Sequence, residues 1–470
     1  MFSRTLTALA VSLATLSQPV FADEETDLLR QQIKSLEARL DALEHKQAVE
    51  KAAVPVPKTA AQATPQQKTT ASADAGISSN TTANVEYGSH GLNITSPDKN
   101  FQFHVGGYVQ ADDHAFIGNT PSSNTDQFFI RSARPIFEAK FYDNFSARLM
   151  LDFGNGQTTL LDAYGDYNAT NAFNVRVGKF KDPIGIERWQ SEQNVLFVER
   201  GMTTNLVPYR DNGVQLYGEL IQHALEYELA LTNGAPDLVN ATNNTDNDQT
   251  VTARVFTHPF YYTDIHALKG FGIGAAGSYG NRNASLANPN LTTGYVTPAQ
   301  TKFFTYATTA FANGEQWRIN PQAIYYNGPF SMIGEYVLEN QEIKAGNRQA
   351  ILQNDAWEAI ATYVLTGEDA RFDGVVPHRN FDPRNNQWGA FELVARISQL
   401  RVDDAAFPVF ASLSTSAKEA QETTVGGTWY MNTNVKVNFD LAVTRFDGGA
   451  ANNGSRPTEK AVLSRVQFKF

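Results

Sequence analysis

The sequence predicts an all-β fold: a transmembrane antiparallel β-barrel of sixteen or eighteen strands, preceded by an N-terminal coiled-coil helix and a flexible linker. Three observations carry this. From about Val85 to Phe470, segment after segment alternates apolar and polar residues, with charge confined to one face. The chain holds 30 Phe, 18 Tyr and 33 Gly, yet its mean hydropathy is only −0.35, which suits strands with one apolar and one polar face. The last residues keep strict alternation to an aromatic end: Val462, Ser464, Val466, Phe468 and Phe470 on one face, Leu463, Arg465, Gln467 and Lys469 on the other.

Composition narrows the alternatives. The 470 residues include no cysteine, so there is neither a disulfide framework nor a thiolate metal site. The eight histidines contain no H-x-x-x-H pair, and nothing marks a metal or cofactor site. A net charge of −11 argues against nucleic acid as a partner. No stretch reaches eighteen consecutive apolar residues, which excludes a helical membrane protein.

Met1 to Ala22 reads as a secretory signal, with Arg4 as its positive end, Leu6 to Leu16 as its apolar core and Val20-Phe21-Ala22 before the cleavage point. In the next segment, 23–50, Leu29, Ile33, Leu36, Leu40 and Leu43 are spaced 4, 3, 4 and 3. That is a coiled-coil seam with Arg30, Lys34, Glu37, Arg39, Asp41 and Glu44 outside it. A lone amphipathic helix is the plainer alternative. Residues 51–84 are rich in Ala, Pro, Thr, Gln and Ser and read as a disordered linker.

The barrel occupies 85–470. Phe101, Phe103, Val105, Gly107 and Val109 alternate with Gln102, His104, Gly106, Tyr108 and Gln110. Phe145 to Phe153, Leu161 to Tyr167, His223 to Leu231, Phe391 to Ile397 and Val435 to Val443 repeat the pattern. Asn233-Gly234, Asn313-Gly314, Asn327-Gly328 and Asp447-Gly448 read as turns. The longer gaps, Asn233 to Thr250, Asn281 to Thr301, Glu368 to Arg384 and Arg401 to Glu422, read as extracellular loops. Gly272 to Gly277 matches G-x-G-x-x-G but lacks a βαβ context, so it is expected to be a glycine-rich strand.

One stretch breaks the rhythm. After a strand at Phe173 to Gly178, alternation stops at Asp182-Pro183 and returns only near Val214. A loop of this length, about 181–211, inside an all-β chain is usually functional. It carries Lys181, Arg188, Arg200 and Arg210, just after Lys179. It is expected to fold into the barrel, narrow it and present cations to a passing anion. A surface loop with solvated charges is the competing reading.

The segments FFIRSARPIFEAKFYDNFSARLMLDF, LLDAYGDY, VRVGKFKDPIGIERWQSE, LFVERG and DNGVQLYG, in this order and spacing between Phe128 and Gly213, resemble the phosphate-selective porin O and P family. The terminal Phe likewise resembles the closing strand of bacterial outer-membrane proteins. The resemblance implies a homotrimer of sixteen-stranded barrels in the outer membrane, with the N-terminal segment in the periplasm. It also implies a constriction loop and a ladder of arginines leading phosphate, or larger phosphate anions such as pyrophosphate and polyphosphate, to a cationic zone. The family's constriction cations fall on Arg131, Arg188 and Arg200, and its acidic residue on Asp162. A second arginine is replaced by Ser132, while Arg134 and Lys181 stand where some members have other residues, which redistributes the charge. Simple alternation turns Arg134 inward and Arg131 outward, so a bulge near Pro135 is needed to bring Arg131 in.

Charges on barrel strands default to the lumen because a charged side chain facing lipid costs roughly 2–4 kcal/mol. Arg148, Arg176, Arg396 and Lys436 are therefore candidate pore-lining cations. Arginine suits phosphate because its planar fork donates two parallel hydrogen bonds. Each arginine could equally be a wall residue paired with a carboxylate. The function expected is passive diffusion of small anions through a non-enzymatic channel bathed by outer-membrane lipid. A barrel hydrolase and an envelope tether acting through the coil are the alternatives; no G-x-S-x-G or H-E-x-x-H favours the first.

Overall fold

The computed structural model describes residues 82–89, 91–118, 124–244 and 246–470. The signal sequence, the coiled coil and nearly all of the linker lie outside the described residues.

Twenty strands are present among the described residues. They are β1 (Asn84–Gly88), β2 (Gly91–Thr95), β3 (Phe101–Phe116), β4 (Gln127–Phe141), β5 (Phe145–Asp152), β6 (Thr159–Thr170) and β7 (Phe173–Phe180). Next come β8 (Asp211–Ile221), β9 (Leu225–Thr232), β10 (Thr250–Thr257), β11 (Phe271–Asn283), β12 (Tyr295–Val296) and β13 (Lys302–Phe304). The rest are β14 (Ala310–Asn327), β15 (Phe330–Ala345), β16 (Arg348–Val364), β17 (Ala390–Arg401), β18 (Ala417–Tyr430), β19 (Val435–Gly448) and β20 (Glu459–Lys469). From β3 to β11 and β14 to β20, each strand pairs antiparallel with the next, and β20 pairs back onto β3. Sixteen strands thus close a ring, which leaves no open edge in the wall. The β1–β2 hairpin is added to the start of β3, with Leu92 opposite Val105. The pair β12–β13 belongs to the long connection between β11 and β14.

Alternation decides which side chains face out. Leu229, Val255, Ile319, Ile351 and Phe439 are each about half exposed on the outer wall, where lipid is their natural solvent. Arg254, Arg318, Glu339, Arg396 and Arg465 are buried on the inner side. Gly272 to Gly277 lies in β11, as a strand.

Three expectations change. Asn313-Gly314 is not a turn: β14 runs through it with a register irregularity between Ala312 and Gln316. Glu368 to Arg384 does not share an end with the other long loops. It joins the last residue of β16 to the first of β17, at the end that carries the short turns and Phe470. Third, the strand bulge lies at Arg131 rather than near Pro135. Gln110 pairs with Ser132 and Ala111 with Ile130, which leaves Arg131 as the extra residue. A second bulge sits at Leu161, between the pairs Met150–Asp162 and Leu151–Leu160. It turns Leu161 inward, where it is 2 % exposed.

The stretch between β7 and β8 lies inside the ring. Ile186, Leu196 and Phe197 pack on Phe256, Ile333, Ile360 and Val394 of the wall. Ile184, Met202, Leu206 and Val207 pack with Tyr295, Phe304, Val337 and Leu352. Phe197 and Val198 are buried, whereas Trp189 is only partly buried. From the opposite end, the β16–β17 connection reaches the same loop: Gln190 Nε2 donates to the Phe372 carbonyl at 2.7 Å.

Candidate functional site: a cationic passage beside the inserted loop

The loop's backbone is tied mainly to one side of the barrel. Its Gly185 N–H donates to Asn320 at 2.8 Å, Ile186 N–H to Glu335 at 2.9 Å and Val198 N–H to Asp440 at 2.6 Å. In return it accepts from Arg318 at the Leu206 carbonyl (2.9 Å), from Lys436 at Val195 (3.1 Å) and from Asn438 at Leu196 (3.0 Å). All these partners lie on β14 to β19. The space left in the barrel is therefore bounded by the loop's other side and by β3 to β8.

Two cavities occupy that space. Arg131, Arg134, Arg188, Arg200 and Lys302 line the first, with Asp152, Glu192 and Glu199 as its carboxylates. Arg134, Arg148, Arg176, Lys181 and Arg210 line the second, with Asp162 and Glu192. Five cations face three carboxylates in one and two in the other, so both are net positive. Arg134 and Glu192 border both cavities.

Most of these cations are held in place by carboxylates. The bulge aims Arg131 inward to Glu199, at 2.5 and 3.1 Å. Arg134 donates to Asp152 at 2.7 Å and to the Tyr108 hydroxyl at 2.7 Å. Arg200 donates to Glu192 and to the carbonyls of Glu187 (3.0 Å) and Gln190 (2.9 Å). Burial opposes the Glu192 charge, but Arg200 and Arg134 hold that carboxyl well below its usual range. Asp162 binds Arg210 at 2.6 Å and Arg148 at 3.2 Å. Arg176 binds Asp166 at 2.8 Å and lies over the Tyr164 ring, 3.9 Å from its centroid.

Arg188 differs. It is 8 % exposed, its Nη2 donates to the Thr204 carbonyl at 2.8 Å, and its Nε has no partner. Among the described residues no carboxylate lies within ion-pair distance of it; its guanidinium lies 5.0 Å from the Tyr209 ring centroid. Burial, with Arg200 nearby, pushes its pKa down to about 10. Its backbone is set by Gly185, at φ 80°, directly before the single helical turn Ile186–Trp189. A side chain on Gly185 would crowd Val207 and the Cβ of Arg188.

Lys181 takes a role other than that expected of it. Its amine donates to the carbonyls of Arg188 (3.0 Å), Trp189 (3.4 Å) and Gln190 (2.8 Å), closing the helical turn. Arg396 and Lys436 do face inward, but the loop covers them. Arg396 is engaged by Glu422 and Glu187, and Lys436 by Val195. Sequence reading left Glu192, Glu199 and Lys302 unassigned and counted Arg210 only as a loop charge. The Glu199-Arg200 and Tyr209-Arg210 pairs in the loop were the available signal for two of these residues, Glu199 and Arg210.

Comparison with known proteins adds a lineage to this geometry. The sequence profile of the family described as phosphate-selective porin O and P matches residues 103–470. Porin O of Pseudomonas aeruginosa is 23 % identical over 421 residues, covering 81 % of this chain and 91 % of its own. Among solved structures, the outer membrane channel DcaP of Acinetobacter baumannii aligns with a TM-score of 0.53 at 12 % identity, covering 79 % of this chain and 97 % of its own.

Proposed function

The chain belongs to the phosphate-selective porin O and P family, and from that premise we propose how its passage handles anions. The protein is an outer-membrane porin, a channel for anions rather than an enzyme. Phosphate, or a larger phosphate anion, moves between the inserted loop and the β3–β8 wall. It passes from the Arg131–Arg188–Arg200 chamber to the Arg148–Arg176–Arg210 chamber, and Arg134 is shared by both.

The observation that carries this reading is Arg188, the buried guanidinium of the passage that no carboxylate balances. An arriving phosphate supplies the missing charge and accepts from the free Nε. The neighbouring cations are already paired, so each offers an anion only a partial share of its charge. That keeps any one site weak enough to release the ion, as conduction requires. Assembly as a homotrimer follows from the same family reading.

The reversal potential in a potassium chloride gradient tests selectivity. A potential favouring chloride is expected, and one favouring potassium overturns the proposal. Phosphate titration of the chloride current then tests the site.

A further inference from the structure

Behind the inserted loop, on the side away from the passage, two acidic side chains meet without a cation between them. Glu335 on β15 and Glu358 on β16 are directly opposite in register. Both are buried, at 5 % and 2 % exposure. The Glu335 carboxylate is fully occupied. It accepts from Ile186 N–H (2.9 Å), Glu187 N–H (3.3 Å), Thr203 Oγ1 (3.0 Å) and Asn320 Nδ2 (3.0 Å). The first three are loop groups, and two of them immediately precede Arg188. Glu358 is the opposite case: neither of its oxygens receives a hydrogen bond. The loop presses on it so closely that a methyl group at Gly201 would overlap its Oε2.

The charged groups around Glu358 are Glu335 on β15, Glu187 on the loop and Arg396 on β17, with Glu422 on β18 behind Arg396. Arg396 directs its bonds to Glu422, Glu187 and the Glu199 carbonyl, and none to Glu358. The Glu187 carboxylate accepts from Gly201 N–H at 2.7 Å. An ionised Glu358 would thus be a buried charge with no donor, facing a second carboxylate. Such an arrangement is costly and is relieved by a proton.

We propose that Glu358 carries a proton, and that this neutral acid, packed beneath Gly201 and facing Glu335, keeps the inserted loop latched to the wall and so positions Arg188. Loss of the proton sets two like charges opposite each other beneath Gly201. The loop lifts, and the passage fluctuates. The inference rests on the loop being the constriction, as proposed above, and goes beyond anion selectivity to the control of the aperture.

The test is open-channel noise and closure frequency of single channels in chloride, from mildly acidic to mildly alkaline pH. Wild type should grow noisier by about threefold or more as pH rises. Glu358→Gln keeps the shape of the neutral acid, so its noise should stay within about twofold across the range. Glu335→Gln replaces one of the two oxygens that accept from the loop with an NH2 donor and should be noisy throughout. Burial, reinforced by Asp211, pushes Asp182 at the loop's base up to about 7, so it is one rival titrating group; Asp440 and Lys436, which bond the loop directly, are others. A pH dependence that persists in Glu358→Gln therefore overturns the latch. A flat wild-type profile overturns it without any variant. Reversal potentials from the same channels judge the anion reading separately.

Discussion

Arg131 on β4 and Glu199 on the inserted loop meet as a two-pronged pair, Nε to Oε1 at 2.5 Å and Nη2 to Oε2 at 3.1 Å. The pair joins the free wall of the passage to the loop that narrows it, and Arg465 stands 3.6 Å from the same carboxylate. Replacing Glu199 with Gln keeps the shape and removes a charge that competes with the passing anion. Phosphate should then block chloride current more tightly, by about three- to tenfold, or ~0.7–1.4 kcal/mol. A weaker block in Glu199→Gln would mean that its charge serves to fix Arg131 rather than to temper it.

Arg188→Ala should weaken phosphate block by at least about tenfold, roughly 1.4 kcal/mol, because it removes the buried guanidinium of the passage that no carboxylate pairs among the described residues. Arg188→Lys should keep most of the anion selectivity and lose part of the affinity, since an ammonium cannot donate in two parallel bonds. Equal inhibition constants for wild type and Arg188→Ala would move the site to Arg131, Arg134 or Arg200.

Lys181→Ala should alter the loop more than the anion site. Its amine closes the turn that carries Arg188 by binding three carbonyls. We expect the phosphate inhibition constant to shift less than in Arg188→Ala, by about threefold or less, with an increase in open-channel noise. A shift as large as that of Arg188→Ala, without added noise, would make Lys181 a direct anion contact.

On the proposed trimeric reading, which places the subunit contacts on the barrel, deletion of residues 26–50 should leave a trimer that resists dissociation in mild detergent. Recovery of monomers alone would reverse the order of importance between coil and barrel.

Much of this molecule was legible in its sequence, for a physical reason. A barrel strand exposes one face to lipid and the other to the lumen, so a two-residue period is written into the chain itself. The broken period after Gly178 marked the inserted loop for the same reason. What escaped was anything decided by pairing between strands. The bulge at Arg131 adds one residue to β4 without changing its composition, so the side on which Arg131 emerges depends on its neighbour β3. The end at which Glu368 to Arg384 lies depends on counting every strand before it, and loop composition alone does not report it. Arg396 and Lys436 were rightly placed on the inner face, but a covering loop is invisible to alternation. Lys181 was read as a charge, and only the fold shows its amine already occupied by three carbonyls.

The seam of the ring lies between the first and last of its strands. Gly107 N–H donates to the Phe470 carbonyl at 2.8 Å, and Phe470 N–H donates back to Gly107 at 2.9 Å. A Cβ on Gly107 would collide with the Arg134 carbonyl and crowd the Phe470 ring. The wall therefore seals only when β20 is present to pair with β3. Until then β3 and β20 each present an unpaired row of amides and carbonyls, and an intermediate of this kind must be shielded on its way to the membrane. Closure waits on the meeting of β3 and β20, and a bulky residue at 107 should stall the molecule there, with its passage built but its wall still open.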